Sequence, residues 1–172
     1  MMIALTGTPG CGKSTVAEIL RDRGWTVIRQ NDTTGHYELE KDADRDTVVI
    51  DEEMWAEEFV PFEGIIEGHL THLIPANRVV ILRCRPDILA GRLRERGYGP
   101  EKVSENAEAE ALDVILVEAL EIHPASRICE IDTTGKSPEE TAGAIEAFIH
   151  GECPNPCTHV DWSAYLGITT WE

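Results

Sequence analysis

The chain has 172 residues, of which 15 are Lys or Arg and 32 are Asp or Glu, for a formal net charge of −17 at pH 7. That length suits one domain with a full core, and the charge excludes broad electrostatic binding to nucleic acid, which needs a basic face. It allows a basic protein partner, a local basic patch or adaptation to a salty cytoplasm. The five cysteines, Cys11, Cys84, Cys129, Cys153 and Cys157, are odd in number. Two of them lie in apolar strand-like runs, so a disulfide framework is not expected and a reducing, cytoplasmic compartment is. No export leader is expected at the start, and no apolar run is long enough to cross a bilayer.

Met2-Ile3-Ala4-Leu5 reads as a buried strand, and Ser14 to Arg23 as a helix with Val16, Ala17, Ile19 and Leu20 on its apolar face. Between them stands Gly7-Thr8-Pro9-Gly10-Cys11-Gly12-Lys13-Ser14-Thr15, a glycine, four residues and then Gly-Lys-Ser. Glycines let the backbone turn its N–H groups inward onto phosphate oxygens, and the helix N-terminus adds partial positive charge there. In such a loop Lys13 reaches the β- and γ-phosphates and Ser14 places its hydroxyl on Mg²⁺. Cys11 fills a variable position and reads as a small filler rather than a reactive thiol.

Gly24 ends the first helix, and Trp25 to Arg29 reads as a second strand. Gln30 to Asp46 is polar and too long for a plain connection, which points to a functional excursion or small subdomain. Thr47 to Ile50 is short and apolar, and Asp51 to Phe59 reads as a short acidic helix. Gly64 to Gly68 reads as a strand ending in Glu67, with His69 and His72 in the loop beyond. Arg78 to Cys84 is the clearest buried strand, and a helix follows from Pro86 to Arg96. Gly97-Tyr98-Gly99-Pro100 breaks it, and one long helix is expected over Ser104 to Ile122. Arg127 to Asp132 reads as a fifth strand, and Ser137-Pro138-Glu139-Glu140 as a capping box that opens a last helix. Strands alternate with helices, so the expected fold class is α/β: a P-loop NTPase fold with a five-stranded parallel sheet and helices on both faces. The strand ends then gather on one rim.

Several side chains on that rim are candidates for chemistry. Glu67 can hold Mg²⁺ through water or orient an attacking group, or be a solvated strand end. His69 can relay a proton or touch phosphate, or make a structural hydrogen bond. His72 reads as the more structural of the two. Arg92 and Arg96 share a helix face before a glycine hinge, so Arg96 suits a lid arginine that stabilises charge on the moving phosphoryl group. Asp32, with Arg29, Thr33 and Thr34, stands where a second substrate enters, or caps a helix. Lys136 lies in a loop that can flank a base. Cys153, Cys157 and His159 form part of a metal-ligand pattern without a clear fourth member, and prolines make a turn-rich linker as plausible. Trp162 and Trp171 suit docking of the tail on the body or on a partner.

Together these residues resemble the adenylate kinase isoenzyme 6 family, of archaeal and eukaryotic members. The resemblance rests on the loop Gly7 to Thr15, on Glu67-Gly68-His69, on Arg96-Gly97-Tyr98 and on Asn106 with its acidic followers. It covers roughly Met2 to Ile149, and the tail has no evident counterpart. It implies a nucleoside monophosphate kinase with a short lid, of broad specificity (ATP + AMP giving ADP), with ATPase activity besides. It also implies late maturation of the small ribosomal subunit and its rRNA, with small-subunit ribosomal protein eleven as partner. By position, Gly10, Gly12, Lys13, Ser14, Thr15, Arg96 and Lys136 match ATP-binding residues, and Asp32 falls in the monophosphate segment. The catalytic set is then Lys13, Glu67, His69 and Arg96, with Mg²⁺ held by Ser14 and, through water, Glu67. The implied domain is 1–150, with a monophosphate-binding segment at about 29–52 and a lid at about 95–105, and a tail at 151–172. The family's Asp-Tyr-His is here Glu67-Gly68-His69. Two other readings remain: an ATP-driven assembly factor whose output is partner release, and a kinase of a small metabolite such as shikimate or dephospho-coenzyme A.

Overall fold

Met2–Gly7 (β1) is buried at every one of its 6 residues. A strand apolar on both sides belongs in the middle of a parallel sheet covered on both faces. The computed structural model describes residues 1–42, 47–152, 160–168 and 170–171. The further strands are β2 (Val27–Arg29), β3 (Glu38–Asp42), β4 (Thr47–Ile50), β5 (Gly64–Glu67), β6 (Arg78–Arg83) and β7 (Ile128–Asp132). Five of them form the sheet in the order β2-β5-β1-β6-β7, and every neighbouring pair is parallel. From β1 the chain runs to the edge strand β2, returns to β5 beside β1, and crosses to β6 and β7 on the far side, which opens a crevice at the carboxyl ends of the central strands.

The helices are α1 (Lys13–Asp22), α2 (Glu52–Glu58), α3 (Pro86–Glu95), α4 (Pro100–Ala111), α5 (Val114–Ile122) and α6 (Pro138–His150). Alternation along β1 divides the core. Ile3 and Leu5 face one side, with Val16, Leu20, Leu89, Leu93, Ala107 and Phe148 from α1, α3, α4 and α6. Met2 and Ala4 face the other, with Trp55 from α2 and Ala119 from α5. The predicted capping box is present: Glu140 N–H donates to Ser137 Oγ at 3.2 Å, and Ser137 N–H to Glu140 Oε2 at 2.8 Å.

Two expectations, the single long helix and the start of the second strand, are corrected. The single helix over Ser104 to Ile122 is two helices, broken at Asp113, which adopts a left-handed backbone (φ 56°). Asp tolerates that conformation, and its carboxylate is held there by Arg83. The break moves the chain from one face of the sheet to the other: Ala107 of α4 packs in the first core and Ala119 of α5 in the second. The segment after β2 holds two 3-10 turns, Gln30–Asp32 and Gly35–Tyr37, and then the antiparallel hairpin β3–β4, so Thr47 to Ile50 lies outside the main sheet. The second strand starts at Val27 rather than Trp25, whose indole donates instead to Glu146 of α6 at 3.1 Å. Between α3 and α4 only Arg96 to Gly99 stay outside the helices. Cys153, Cys157 and His159 lie outside the described residues.

Gly64 enters β5 with φ +146°, and a Cβ there would stand 2.5 Å from the Thr26 carbonyl oxygen. That carbonyl accepts the Ile65 N–H, so it cannot retreat without loss of a sheet bond. Gly64→Ala is expected to lose about 2–4 kcal/mol of unfolding free energy. Urea unfolding with an unchanged midpoint would contradict this account of the β5 entry.

Candidate active site

The turn from β1 into α1 needs Gly10 (φ +97°) and Gly12 (φ +95°) in left-handed conformations. A Cβ at Gly10 would also lie 2.7 Å from Leu89 Cδ1 of α3, so the loop is pressed against the protein body. Gly12 precedes α1 without a side-chain cap, and the first turn carries no acidic residue. The amide donors of that turn are therefore left for a ligand, with no acidic residue in the turn itself to compete for them. Lys13 Nζ donates to Gly7 O at 2.6 Å and Thr8 O at 3.1 Å. Burial lowers the ammonium pKa, against the pull of Cys11 and Glu67. Cys11 is 1% exposed, and burial raises its thiol pKa well above the ordinary value, which fits a filler and not a nucleophile.

Ser14 Oγ lies 3.5 and 3.4 Å from the two carboxylate oxygens of Glu67, at the end of β5. Glu67 is buried, and Arg29 Nε approaches it at 3.8 Å from β2. Two hard oxygen donors that converge beside phosphate-directed amides fit a Mg²⁺ ion, which takes few protein ligands and completes its shell with water and phosphate oxygens. No group of three or more His, Cys, Asp or Glu side chains suited to a metal occurs among the described residues.

On the other side of the loop is a cleft of ≈ 200 Å³ lined by Gly12, Thr15, Arg92, Arg96, Thr133 and Lys136, among others. The sequence-predicted residues Gly10, Gly12, Thr15, Arg96 and Lys136 thus share one cavity. Arg92 lines it too and donates to Gly10 O at 3.4 Å. Lys13, Ser14 and Glu67 form a second group, in which Ser14 lies beside Glu67 and the Glu67 charge acts on Lys13. His69 stands at the rim, where its carbonyl accepts from Thr6 Oγ1 at 3.2 Å. His72 is buried between Thr6 Oγ1 (3.1 Å) and Glu118 Oε2 (2.8 Å), a structural position. Asp32 is exposed at the end of a 3-10 turn, three residues past Arg29, which pairs in register with Glu67. That places it at the same end of the sheet as Glu67.

Sequence reasoning missed three contributors. Gln30 is buried, and its Oε1 accepts the Leu70 N–H at 2.9 Å. A Cβ at Gly68 would meet that same oxygen at 2.2 Å, which explains a glycine between Glu67 and His69. Glu110 of α4 is 3% exposed and accepts from Thr8 Oγ1 of the loop at 2.5 Å. Arg83, within the expected strand Arg78 to Cys84, is 2% exposed and donates to Glu110 at 2.8 Å, with Glu130 and Asp113 as further partners.

Loop, sheet order and cleft define a P-loop NTPase of the nucleoside monophosphate kinase fold. Solved structures agree on the fold: deoxyadenosine kinase from M. mycoides (TM-score 0.57, 16% identity, 89% of this chain and 100% of that one) and thymidylate kinase from Candida albicans (0.54, 14%, 88% and 91%). The AAA domain family matches residues 3–113. Among archaeal proteins named "Putative adenylate kinase", one from Archaeoglobus fulgidus is 50% identical over 152 residues, covering 88% of this chain and 84% of the relative. Another, from Methanothermobacter thermautotrophicus, is 45% identical over 170 residues, covering 96% and 99%. The chain belongs to this archaeal family. Alignment over 96% of the chain extends the likeness past Ile149 into the tail, contrary to the expectation that the tail has no counterpart.

Desolvation, with the Lys13 ammonium and His72, pushes the His69 pKa down from 6.5 to about 4. The ring is therefore neutral at physiological pH. An NMR titration should find its midpoint near 4, and a midpoint at or above 6.5 would contradict the shift. Because the unfolded chain takes up this proton first, stability should decline as pH falls from 6.5 towards 4.

Proposed function

We propose that this protein is a nucleoside monophosphate kinase that transfers the γ-phosphoryl group of ATP to AMP and related monophosphates. The carrying observation is the uncapped, acid-free start of α1, with Lys13 folded onto the loop carbonyls Gly7 O and Thr8 O. ATP phosphates would take the loop amides, and Lys13 would exchange those carbonyls for a phosphate oxygen. The cleft of Arg92, Arg96, Thr133 and Lys136 would take the nucleoside. A monophosphate oxygen attacks the γ-phosphorus, the bond to the bridging oxygen breaks, and ADP leaves. Mg²⁺, when bound, would offset the negative charge of the phosphates. Ser14 directly and Glu67 through water are the residues that would hold it. Arg96, at the end of α3, would stabilise charge on the moving group from a lid made of the Arg96 to Gly99 turn. Neutral His69 would exchange a hydrogen bond with phosphate or with the attacking group. Asp32 and the β3–β4 hairpin would receive the monophosphate; Leu39 in that hairpin is 65% exposed, apolar surface that a bound nucleotide would cover.

Support also comes from the relatives, whose name is that of an adenylate kinase. A coupled assay with ATP plus AMP, CMP, GMP or UMP should yield ADP above the ATP-only background with at least one of them. Background-level ADP with all four would sink the reading. Lys13→Ala should reduce transfer by about 100-fold or more while the fold persists, and turnover near the wild-type rate would remove Lys13 from the mechanism.

A second reading shares the site. ATP hydrolysis there would drive binding and release of a basic partner, with small-subunit ribosomal protein eleven on the maturing small subunit as the candidate. The formal charge of −17 supports it, since an acidic surface attracts a basic protein. Capture of that protein should depend on ATP; capture indifferent to nucleotide counts against a switch. No helix among the described residues is long and apolar enough to cross a membrane.

A further inference from the structure

We propose that Glu110 is a positioning residue for the phosphate loop, and that the C-terminal segment completes it through Trp162. Glu110 lies on α4, the helix that begins directly after the Arg96 to Gly99 turn, and it is 3% exposed. One of its oxygens, Oε2, accepts from Thr8 Oγ1 at 2.5 Å. The other, Oε1, accepts from Arg83 Nε at 2.8 Å, from the Cys84 N–H at 3.1 Å and from the Trp162 indole Nε1–H at 3.3 Å. Its main-chain carbonyl accepts from Arg83 Nη2 at 3.0 Å. The carboxylate is therefore fixed from the end of β6, from α4 itself and from the tail, and it spends its remaining oxygen on the loop.

Thr8 is the second residue of that loop and is 4% exposed. Its carbonyl accepts the Lys13 ammonium at 3.1 Å and the Cys11 N–H at 3.1 Å. A displaced Thr8 would take with it both the turn that presents the amides and the resting place of Lys13. Glu110 does not line the cleft and hydrogen-bonds the loop through Thr8, while its charge also acts on Lys13 and Cys11. The tail is tied a second time by Arg94 of α3, which donates to the Trp171 carbonyl, while Tyr165 stacks on the Trp171 ring at 6.3 Å. One helix carboxylate thus links the loop, the helix that follows the arginine turn and the C-terminal segment. The inference rests on the loop's phosphate-binding role for its ligand readout, and on the bare protein for its second readout.

The test uses the full chain and Thr8→Val, which removes the hydroxyl and leaves the Arg83 partners in place. Hydrogen–deuterium exchange without ligand should show the amides of residues 8–14 exchanging about 10-fold faster or more, with β1 and α6 unchanged. Equilibrium binding should show ATP and ADP weakened by a similar factor, with adenosine unaffected. Thr8→Ser should restore both, and Trp162→Phe should shift both in the same direction by less. In a double-mutant cycle Thr8→Val and Glu110→Gln should be strongly non-additive. If Glu110→Gln fails to fold, exchange in Thr8→Val alone decides. Unchanged loop exchange in Thr8→Val, exchange raised equally in β1 and α6, or additive effects in the cycle would each overturn the proposal. Wild-type protein that binds no ATP would count against the kinase reading, whereas the exchange result would stand on its own.

Discussion

One guanidinium fixes much of this molecule. Arg83, at the end of β6, is buried and reaches Glu110 of α4, Asp113 at the helix break and Glu130 of β7. Burial works against its charge, but the three carboxylates more than offset this and raise its pKa. Burial in turn raises the pKa of Glu130, and Arg83 opposes it only in part. A buried ion cluster of this kind adds little net stability over an apolar core, yet loss of one partner costs about 3–5 kcal/mol. Its contribution is therefore geometrical. It places the α4–α5 break at Asp113, sends the chain from one face of the sheet to the other, and sets the carboxylate on which the phosphate loop leans.

The loop is built by two kinds of constraint. Left-handed glycines at 10 and 12 give the turn its shape, and contact with Leu89 limits how far it can swing. Neither supplies a strong polar anchor, because the loop amides that face the site must stay free for a ligand. An anchor made through side chains avoids that conflict. Thr8 bonds outward to Glu110, and Lys13 rests on carbonyls that no phosphate needs. An anion-binding turn can thus be rigid before its ligand arrives, which reduces the ordering cost of binding.

Much of the fold was legible because it depends on local pattern. The run Arg-Val-Val-Ile-Leu-Arg-Cys can only be a buried parallel strand, and Ser137 with Glu140 caps a helix wherever it packs. The site was legible where chemistry is contiguous: Gly12, Lys13 and Ser14 are neighbours in sequence. It was less so where contacts join distant residues. Glu110 sits between Ala107 and Ala111 on the apolar stripe of α4, a carboxylate where a core residue is due, and Arg83 ends an apolar strand. Each is anomalous alone, and their pairing spans 27 positions. The helix break at Asp113 was invisible because 104–122 keeps an unbroken helical period; the cause lies in a partner far along the chain. Nothing in the sequence around Gly68 shows that the space beside it is taken by Gln30, 38 positions earlier.

The two proposed outcomes, transfer to a nucleotide or to water, differ in what reaches the γ-phosphate and not in how it is held. In the proposed mechanism Ser14, Lys13 and the loop amides would serve either acceptor equally, so discrimination would fall to parts that close over the site. Those parts would be the Arg96 to Gly99 turn and the β3–β4 hairpin, which lies outside the main sheet. The turn is flanked by α3 and α4, and α4 carries the Glu110 carboxylate that bonds the loop. On that reading, a movement of α4 that brought Arg96 inward would strain or relieve the Thr8 bond. Water exclusion and loop position would then be coupled through one hydrogen bond, and the acceptor that best completes the closure would receive the phosphate.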